Sequence, residues 1–399
     1  MKTLLQPFRT SPKIQKRIQG HLPKLKTEIK SFRIPVSSPD LTINEERYVQ
    51  LAMASKWISC RGPYIEKFER AFAAKISKTK YAIAVNSGTS ALHLSLLACN
   101  IGPGDEVIIP AFTMIATANA VRYTGAVPVF VDADAKTWNL DVARIEAKVT
   151  KRTKAIIPVH IYGLSADMRP IKAVAKKYGL WVIEDAAEAH GAEYHGDRVG
   201  GLGDAAAFSF FANKIITTGQ GGMITTNNKK IADITRTLRG HAFTHDYHFW
   251  HLFVGYSYEM TSLAAAIGLG QTERFNEFVA KRRQHSARYA KLLRDIPGIT
   301  PQSVPKGYLS AHWMYGILID RALYGMSRNE LRMMLAKKGI ETRPFFVPMH
   351  LQPPYQSDAN SAYPVSELLC RDGLYLPSGS ALTDKEITEV ASRIGNHGE

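Results

Sequence analysis

From Lys80 to Thr226, short β-branched apolar runs alternate with helix-like stretches, and no other feature of the chain constrains its fold as strongly. Seven runs read as strands: YAIAV (81–85), EVIIP (106–110), VPVFVD (127–132), KAIIPVHIYG (154–163), LWVIED (180–185), AAAFSFF (205–211) and GMITT (222–226). They are largely apolar, as expected of strands covered on both faces. Between them SALHLSLLACN, ATANAVRYTGA, DVARIEAKV and MRPIKAVAKKYG carry apolar residues at three- and four-residue spacing, which predicts crossover helices. The expectation is an α/β fold around a mostly parallel sheet flanked by helices, with its ligand beyond the carboxyl ends of the strands.

After Gly240 the texture changes. A loop rich in His and aromatics (241–258) precedes a long helical stretch from about Thr261 to Leu293. HWMYGILI (312–319) reads as a strand, MSRNELRMMLAKKG (326–339) as a helix, and a last helix starts near Thr383, together a smaller C-terminal α+β domain. The expected organisation is a basic N-terminal extension at 1–33, a large domain at 34–273 and a small domain at 274–399.

Charge bears on partners. The chain carries 51 Lys and Arg against 35 Asp and Glu, a net +16 that suggests an anionic partner. Half of it lies in residues 1–33, where nine cations face only Glu28. The remainder is spread along the chain without a run of five or six like charges, which argues against a nucleic-acid-binding body. In the extension Ile14, Ile18, Leu22, Leu25 and Ile29 recur at helical spacing, interrupted by Pro23; a solvated tail is the simplest reading, and contact with a membrane surface or a transit peptide is the alternative. Cys60, Cys99 and Cys370 form no CxxC pair, which fits free thiols in a reducing compartment. No apolar run approaches the ~18 residues of a membrane span, and MKTLLQPFRTSPK lacks the apolar core of a secretion signal, so a cytoplasmic location is expected.

Three constellations fall where such a sheet holds a ligand. Asn86-Ser87-Gly88-Thr89 joins a strand to a helix, where free N–H groups and the dipole form an anion site; an ordinary Ser or Thr cap is the other reading. Glu184-Asp185-Ala-Ala-Glu188-Ala-His190 begins at a strand's carboxyl end, where Asp185 either caps a helix or meets a cationic ligand such as a pyridinium nitrogen. Ser209-Phe-Phe-Ala-Asn213-Lys214, followed by Thr217-Thr218-Gly219-Gln220-Gly221-Gly222, sets a Lys between an apolar strand and a glycine-rich loop, where desolvation favours the neutral, nucleophilic amine.

Taken in order, SGT, EDAA, SFFANK and TTGxGG resemble the DegT/DnrJ/StrS family of sugar aminotransferases, which are pyridoxal-phosphate enzymes of the aspartate aminotransferase fold. The likeness extends from about Ile34 to near the end through WISCRGPYIEKFE, PAFTMIATANAV, VHIYGLSADM, FWHLFVGYSYEMT, IETRPFFVPMHLQPPY and LPSGSALT, with wording nearest to the perosamine-forming branch. It implies that Lys214 carries the cofactor and moves the proton, Asp185 pairs with the pyridinium nitrogen, and Glu188 lies near the ring hydroxyl. It further implies that Gly88, Thr89 and Ser209 hold the phosphate, Met114 covers the ring, and Ser257 reaches a neighbouring subunit's phosphate. Arg343 and His350 are candidate substrate contacts. The implied reaction takes an amine from L-glutamate to the C4 ketone of a nucleotide-linked 4-keto-6-deoxy sugar, in a homodimer with shared sites, for O-antigen or other polysaccharide synthesis. A sugar dehydratase, a transaminase of another cyclic ketone and a non-catalytic cofactor-binding paralogue are the other readings; Lys214, where the dehydratase branch has His, favours amine transfer.

Three departures stand out: Ser257 and Glu259 replace the Asn and Arg of the usual GYNYRM, and Gln220 replaces the Glu of TTGEGG. Two lookalikes are set aside. Gly201-Leu-Gly203-Asp-Ala-Ala206 matches a loose dinucleotide fingerprint but precedes a strand instead of joining strand to helix. His241, His245, His248 and His251 have spacings that suit zinc but lie in an aromatic loop without Cys, so no metal is expected.

Overall fold

Successive side chains on a strand point to opposite faces, and each strand of the large sheet feeds two apolar layers in this way. The computed structural model describes residues 32–243, 247, 249–358 and 362–396, so nearly all of the basic extension, with its helical spacing, lies outside the described residues. Strands are numbered in chain order. The large sheet contains β1 (Tyr81–Val85), β2 (Glu106–Pro110), β3 (Val127–Val131), β4 (Thr153–Ile156), β5 (Trp181–Asp185), β8 (Ala205–Ser209) and β9 (Gly222–Thr226). Ala82 and Ala84 of β1 join one core layer with Phe68, Phe72, Phe208 and Met223, while Ile83 and Val85 join the other with Leu92, Ile109 and Ile224.

The strand order is β1-β9-β8-β5-β4-β2-β3. All pairs are parallel except those of β9, which runs antiparallel to both β1 and β8. Two antiparallel steps restore direction, so β1, β8 and β5 end on the same edge of the sheet. The loops that follow them carry the three constellations of the sequence to that edge.

A second antiparallel sheet contains β10 (Ile299–Pro301), β12 (Tyr315–Ile319), β14 (Gly373–Leu376) and β13 (Arg343–Pro344), packed with Tyr289, Leu331, Leu335 and Ile387 into a core of its own. A small third sheet joins β6 (Glu193–Tyr194), β7 (Asp197–Arg198) and β11 (Tyr308–Leu309).

Several expected elements differ in detail. DVARIEAKV forms two short 3₁₀ turns, Val142–Arg144 and Glu146–Lys148, because the Asp141 carboxylate takes the Ala143 N–H at 3.1 Å and the Arg144 guanidinium at 2.9 Å, competing with helical bonding. The strand expected at 154–163 stops at Ile156; Pro158 has no N–H to offer, and the chain turns at Tyr162, whose φ is +54°. AAAFSFF pairs in β8 only to Ser209. The long helix divides at Arg274 into Ser262–Glu273 and Phe275–Leu293, where Arg274 has non-helical φ/ψ of −95° and 7° and binds Asp40 at 3.0 Å.

The end of β5 is anchored by a fully buried carboxylate. Glu184 Oε1 accepts the N–H groups of Leu202 and Gly203, both at 2.8 Å, and Oε2 accepts that of Gly200 at 2.9 Å. The His160 ring meets Oε2 at 3.0 Å through Nε2, and its Nδ1 accepts the Ala166 N–H at 3.0 Å, so the ring proton sits on Nε2 and is donated to Glu184. The glycine run that imitates a dinucleotide fingerprint therefore wraps one of the protein's own carboxylates. A Cβ on Gly203 would lie 2.6 Å from the Val182 carbonyl oxygen, which forbids any other residue there without a backbone shift. Glu184→Ala would strand three amides and an imidazole in a dry interior. The expected loss is roughly 3 kcal/mol or more of stability in urea unfolding; an unchanged midpoint would refute the anchoring role.

Candidate active site

Beyond the shared edge of β1, β5 and β8 lies a cavity of about 410 Å³ whose walls include Gly88, Thr89, Met114, Asp185, Glu188, Ser209, Lys214 and Arg343. One end is an anion cradle. Ser87 caps helix Gly88–Ala98 by accepting the Ser90 N–H at 3.1 Å, leaving the amides of Gly88 and Thr89 at the cavity wall. Close approach of three strand ends shapes it: a Cβ on Gly88 would meet Ser209 Cβ at 2.8 Å, and one on Gly222 would meet the Ser87 carbonyl oxygen at 2.3 Å. The cap reading of the SGT turn holds, and the same cap leaves two amides at the cavity wall, as an anion site would require.

Asp185 ends β5 as a buried carboxylate at the cavity wall. Its Oδ2 accepts the Thr117 hydroxyl at 2.7 Å and its Oδ1 the Ala187 N–H at 3.2 Å, while Thr117 and Thr113 share a hydrogen bond at 2.9 Å. Burial raises its pKa, and the Thr117 bond and the positive Lys214 oppose that rise. Such a carboxylate is suited to a cationic partner in the cavity.

Lys214 Nζ lies 3.8 Å from Glu188 Oε1 and 3.7 Å from the centroid of the Trp313 ring. Burial pushes Glu188 up to about 7 and lowers Lys214, while their mutual attraction works against both shifts. Glu188 Oε2 accepts the Tyr162 N–H at 2.8 Å, a bond made possible by the left-handed backbone at Tyr162. Burial thus sets a less basic amine beside a less acidic carboxyl, which narrows the difference in proton affinity between them.

Met114 is half-exposed in the cavity wall at the start of helix Ile115–Tyr123. Arg343, on β13, also lines the cavity and is paired with Glu341 at 2.8 Å. Two other named residues do not line this cavity, one of them, Ser257, being expected at a neighbouring subunit's site. Ser257 is exposed outside its own chain's cavity, with its carbonyl accepting the Asn86 amide at 3.3 Å. His350 is buried against Glu367 at 3.1 Å and Tyr363, behind the backbone link from Met349 to Ala111 that closes this side. Gln220 and Glu259 line a neighbouring cavity of about 370 Å³. Of the loop histidines, His251 Nδ1 meets the His241 carbonyl at 2.7 Å, His245 and His248 lie outside the described residues, and no metal-binding cluster occurs among the described ones. Likewise no described helix is long and apolar enough to cross a membrane.

Sequence reading missed Thr117, Trp313, Phe346 and Tyr375. Thr117 was visible as a Thr four residues after Thr113 at a helix start, and Trp313 as a large aromatic in a segment read only as a strand; nothing in the sequence marks Phe346 or Tyr375 as cavity residues. Together the anion cradle, the buried carboxylate and the amine fit a planar cation bearing a phosphate, the chemical description of pyridoxal phosphate.

Comparison with known proteins agrees with this geometry. The model of the DegT/DnrJ/EryC1/StrS aminotransferase family matches residues 39–395. GDP-perosamine synthase of Caulobacter vibrioides is 48% identical over 363 residues, 91% of this chain and 97% of that protein. Among solved structures, S. venezuelae DesV in complex with a ketimine intermediate superposes with a TM-score of 0.83 at 33% identity, covering 89% of this chain and 94% of that one. The PLP form of the sugar aminotransferase Spr1654 of Streptococcus pneumoniae gives 0.84 at 28% identity, covering 90% and 97%.

Behind the site, His190 is enclosed by the rings of Phe72, Phe208 and Phe210. Burial, with the positive Lys214 and Arg282 adding to it, pulls its pKa down to about 3. A depressed His binds its proton only in the unfolded chain, so its contribution is complete above about pH 6.5 and lost as the pH falls toward 3. At pH 5 the loss is about 2 kcal/mol. In urea titrations of the cofactor-free protein, His190→Leu should gain on the wild type by about that amount between pH 7.5 and pH 5; a pH-independent difference would show that His190 does not stay neutral.

Proposed function

The chain belongs to the DegT/DnrJ/EryC1/StrS aminotransferase family, and from that premise we propose that it transfers an amino group from L-glutamate to the C4 ketone of a nucleotide-linked 4-keto-6-deoxy sugar. It is a pyridoxal-phosphate-dependent sugar aminotransferase, and the likeness to GDP-perosamine synthase favours a GDP-linked substrate. The observation that carries the reading is the convergence of Lys214, Asp185 and the Gly88–Ser209 cradle on one cavity. Pyridoxal phosphate, when bound, takes the amino group from the donor and delivers it to the ketone.

The chain's own residues divide the remaining work. Gly88, Thr89 and Ser209 would hold the phosphate, and Asp185, which accepts the Thr117 hydroxyl, would pair with the ring nitrogen. Glu188 would sit by the ring hydroxyl and Met114 would cover the ring face. Lys214 Nζ carries the cofactor and, once released, takes a proton from the donor carbon and returns one to the sugar carbon. Arg343 at the cavity wall offers a cation to the substrate's pyrophosphate. The reading includes a homodimer in which Ser257 completes the partner's phosphate site; its exposure and its place outside its own cavity support that role. His350, tied to Glu367, has no substrate contact in this reading.

Purified protein should be yellow, borohydride should fix the cofactor covalently at Lys214, and Lys214→Ala should abolish formation of the amino sugar from L-glutamate and a GDP-linked 4-keto-6-deoxy sugar. A colourless protein indifferent to the cofactor would end this reading. Thr117→Val removes a hydrogen bond to a charged group, worth about 1.5–3 kcal/mol, so cofactor affinity measured by fluorescence titration should fall about tenfold or more; equal affinity would remove Thr117 from the site.

A further inference from the structure

Lys214 must release the cofactor in each half of the reaction, and a flexible four-carbon side chain then needs a place to wait. On one side its amine meets Glu188 Oε1 at 3.8 Å; on the other it lies 3.7 Å above the centroid of the Trp313 indole. We propose that Trp313 is a positioning residue whose ring face seats the Lys214 amine whenever that amine is not joined to the cofactor. The proposal rests on the reading that Lys214 carries the cofactor.

Trp313 is held through both its indole and its backbone. Its Nε1–H donates to the carbonyl of Asn213, the residue before Lys214, at 2.8 Å. The Trp313 carbonyl accepts from Arg282 Nη1 at 2.6 Å. Its backbone nitrogen is packed so closely on Gly163 that a Cβ there would lie 2.7 Å away. The Tyr162 ring stacks at 29° with centroids 6.3 Å apart. Tyr162 is also the residue whose N–H holds Glu188, at 2.8 Å. Both supports of the amine, a carboxylate and an aromatic face, thus meet at the left-handed turn at Tyr162.

The ring face also biases protonation. An indole attracts the ammonium form and has no comparable attraction for the neutral amine. It therefore acts with Glu188 and Asp185, which favour the charged amine, against burial and the positive Arg282, which favour the neutral one; His190 nearby stays uncharged, and Arg343 and Tyr375 line the same cavity. Removing the face should lower the pH at which Lys214 titrates.

The test uses the full-length protein without cofactor, following acetylation of Lys214 by acetic anhydride against pH with peptide mass spectrometry. Trp313→Leu should move the midpoint down by about one pH unit, and Trp313→Phe, which keeps a ring but loses the Nε1–H, should retain most of the wild-type value. After reconstitution with pyridoxal phosphate, kcat should fall at least tenfold in Trp313→Leu, with recovery in Trp313→Phe and little change in the KM for L-glutamate. An unchanged midpoint in folded Trp313→Leu, or an equal shift in both variants, overturns the proposal. Failure of the wild-type protein to take up the cofactor would instead overturn the aminotransferase reading, because the Lys214 titration needs no cofactor.

Discussion

Two consecutive carboxylates at the end of β5 organise this molecule, and strand geometry separates their work. Adjacent residues of a strand point to opposite faces. Glu184 turns into the protein and gathers the Gly200, Leu202 and Gly203 amides with His160, while Asp185 reaches the cavity and Thr117. The first bond set fixes the turn that leads into β8, hence the position of Ser209 at that strand's end. A one-residue slip of β5 would exchange the two carboxylates and lose both functions, so the parallel register of Asp185 with Ala207 is a requirement of the site as well as of the sheet.

The site concentrates ionisable groups that burial would otherwise expel. Asp185, Glu188, Lys214 and Arg282 are all within its electrostatic reach, and each is met by a specific partner. Arg282, pulled down to about 10 by burial, has carbonyls as partners, those of Trp313 and Ser378 at 2.6 and 3.0 Å. Its charge therefore stays uncancelled by any carboxylate among those bonds and contributes to the lowering of the Lys214 pKa. It also bridges helix Phe275–Leu293 to the loops around Trp313 and Ser378, so the element that tunes the amine is the one that joins the second sheet to the cavity.

Much of this was legible in the residues. Apolar runs gave the seven strands of the main sheet, because burial on both faces leaves a mark that survives without knowledge of partners. The antiparallel sense of β9 left none, since GMITT reads the same in either direction. Local chemistry overruled periodicity at Asp141 and Pro158, where a side-chain acceptor and a missing N–H outcompeted the expected helix and strand. Among site residues, Lys214, Asp185 and Gly88 were found because each sits at or shortly beyond the end of a strand. Trp313 and Tyr375 come from the second sheet's region and reach the cavity only through tertiary packing, which no spacing encodes.

The departures at 220 and 259 also gain a physical sense from their placement. Gln220 and Glu259, which the family resemblance sets against a usual Glu and Arg, line one cavity together with Asn86. Glu259 pairs along the backbone with Val85, the last residue of β1, and its carboxylate engages the Cys60 thiol. Had residue 220 remained a carboxylate, two negative groups would face the same small volume beside an anion cradle, a repulsion that raises a pKa or expels the bound phosphate. A neutral amide at 220 removes that conflict. The pair leaves a single carboxylate at this edge of the site.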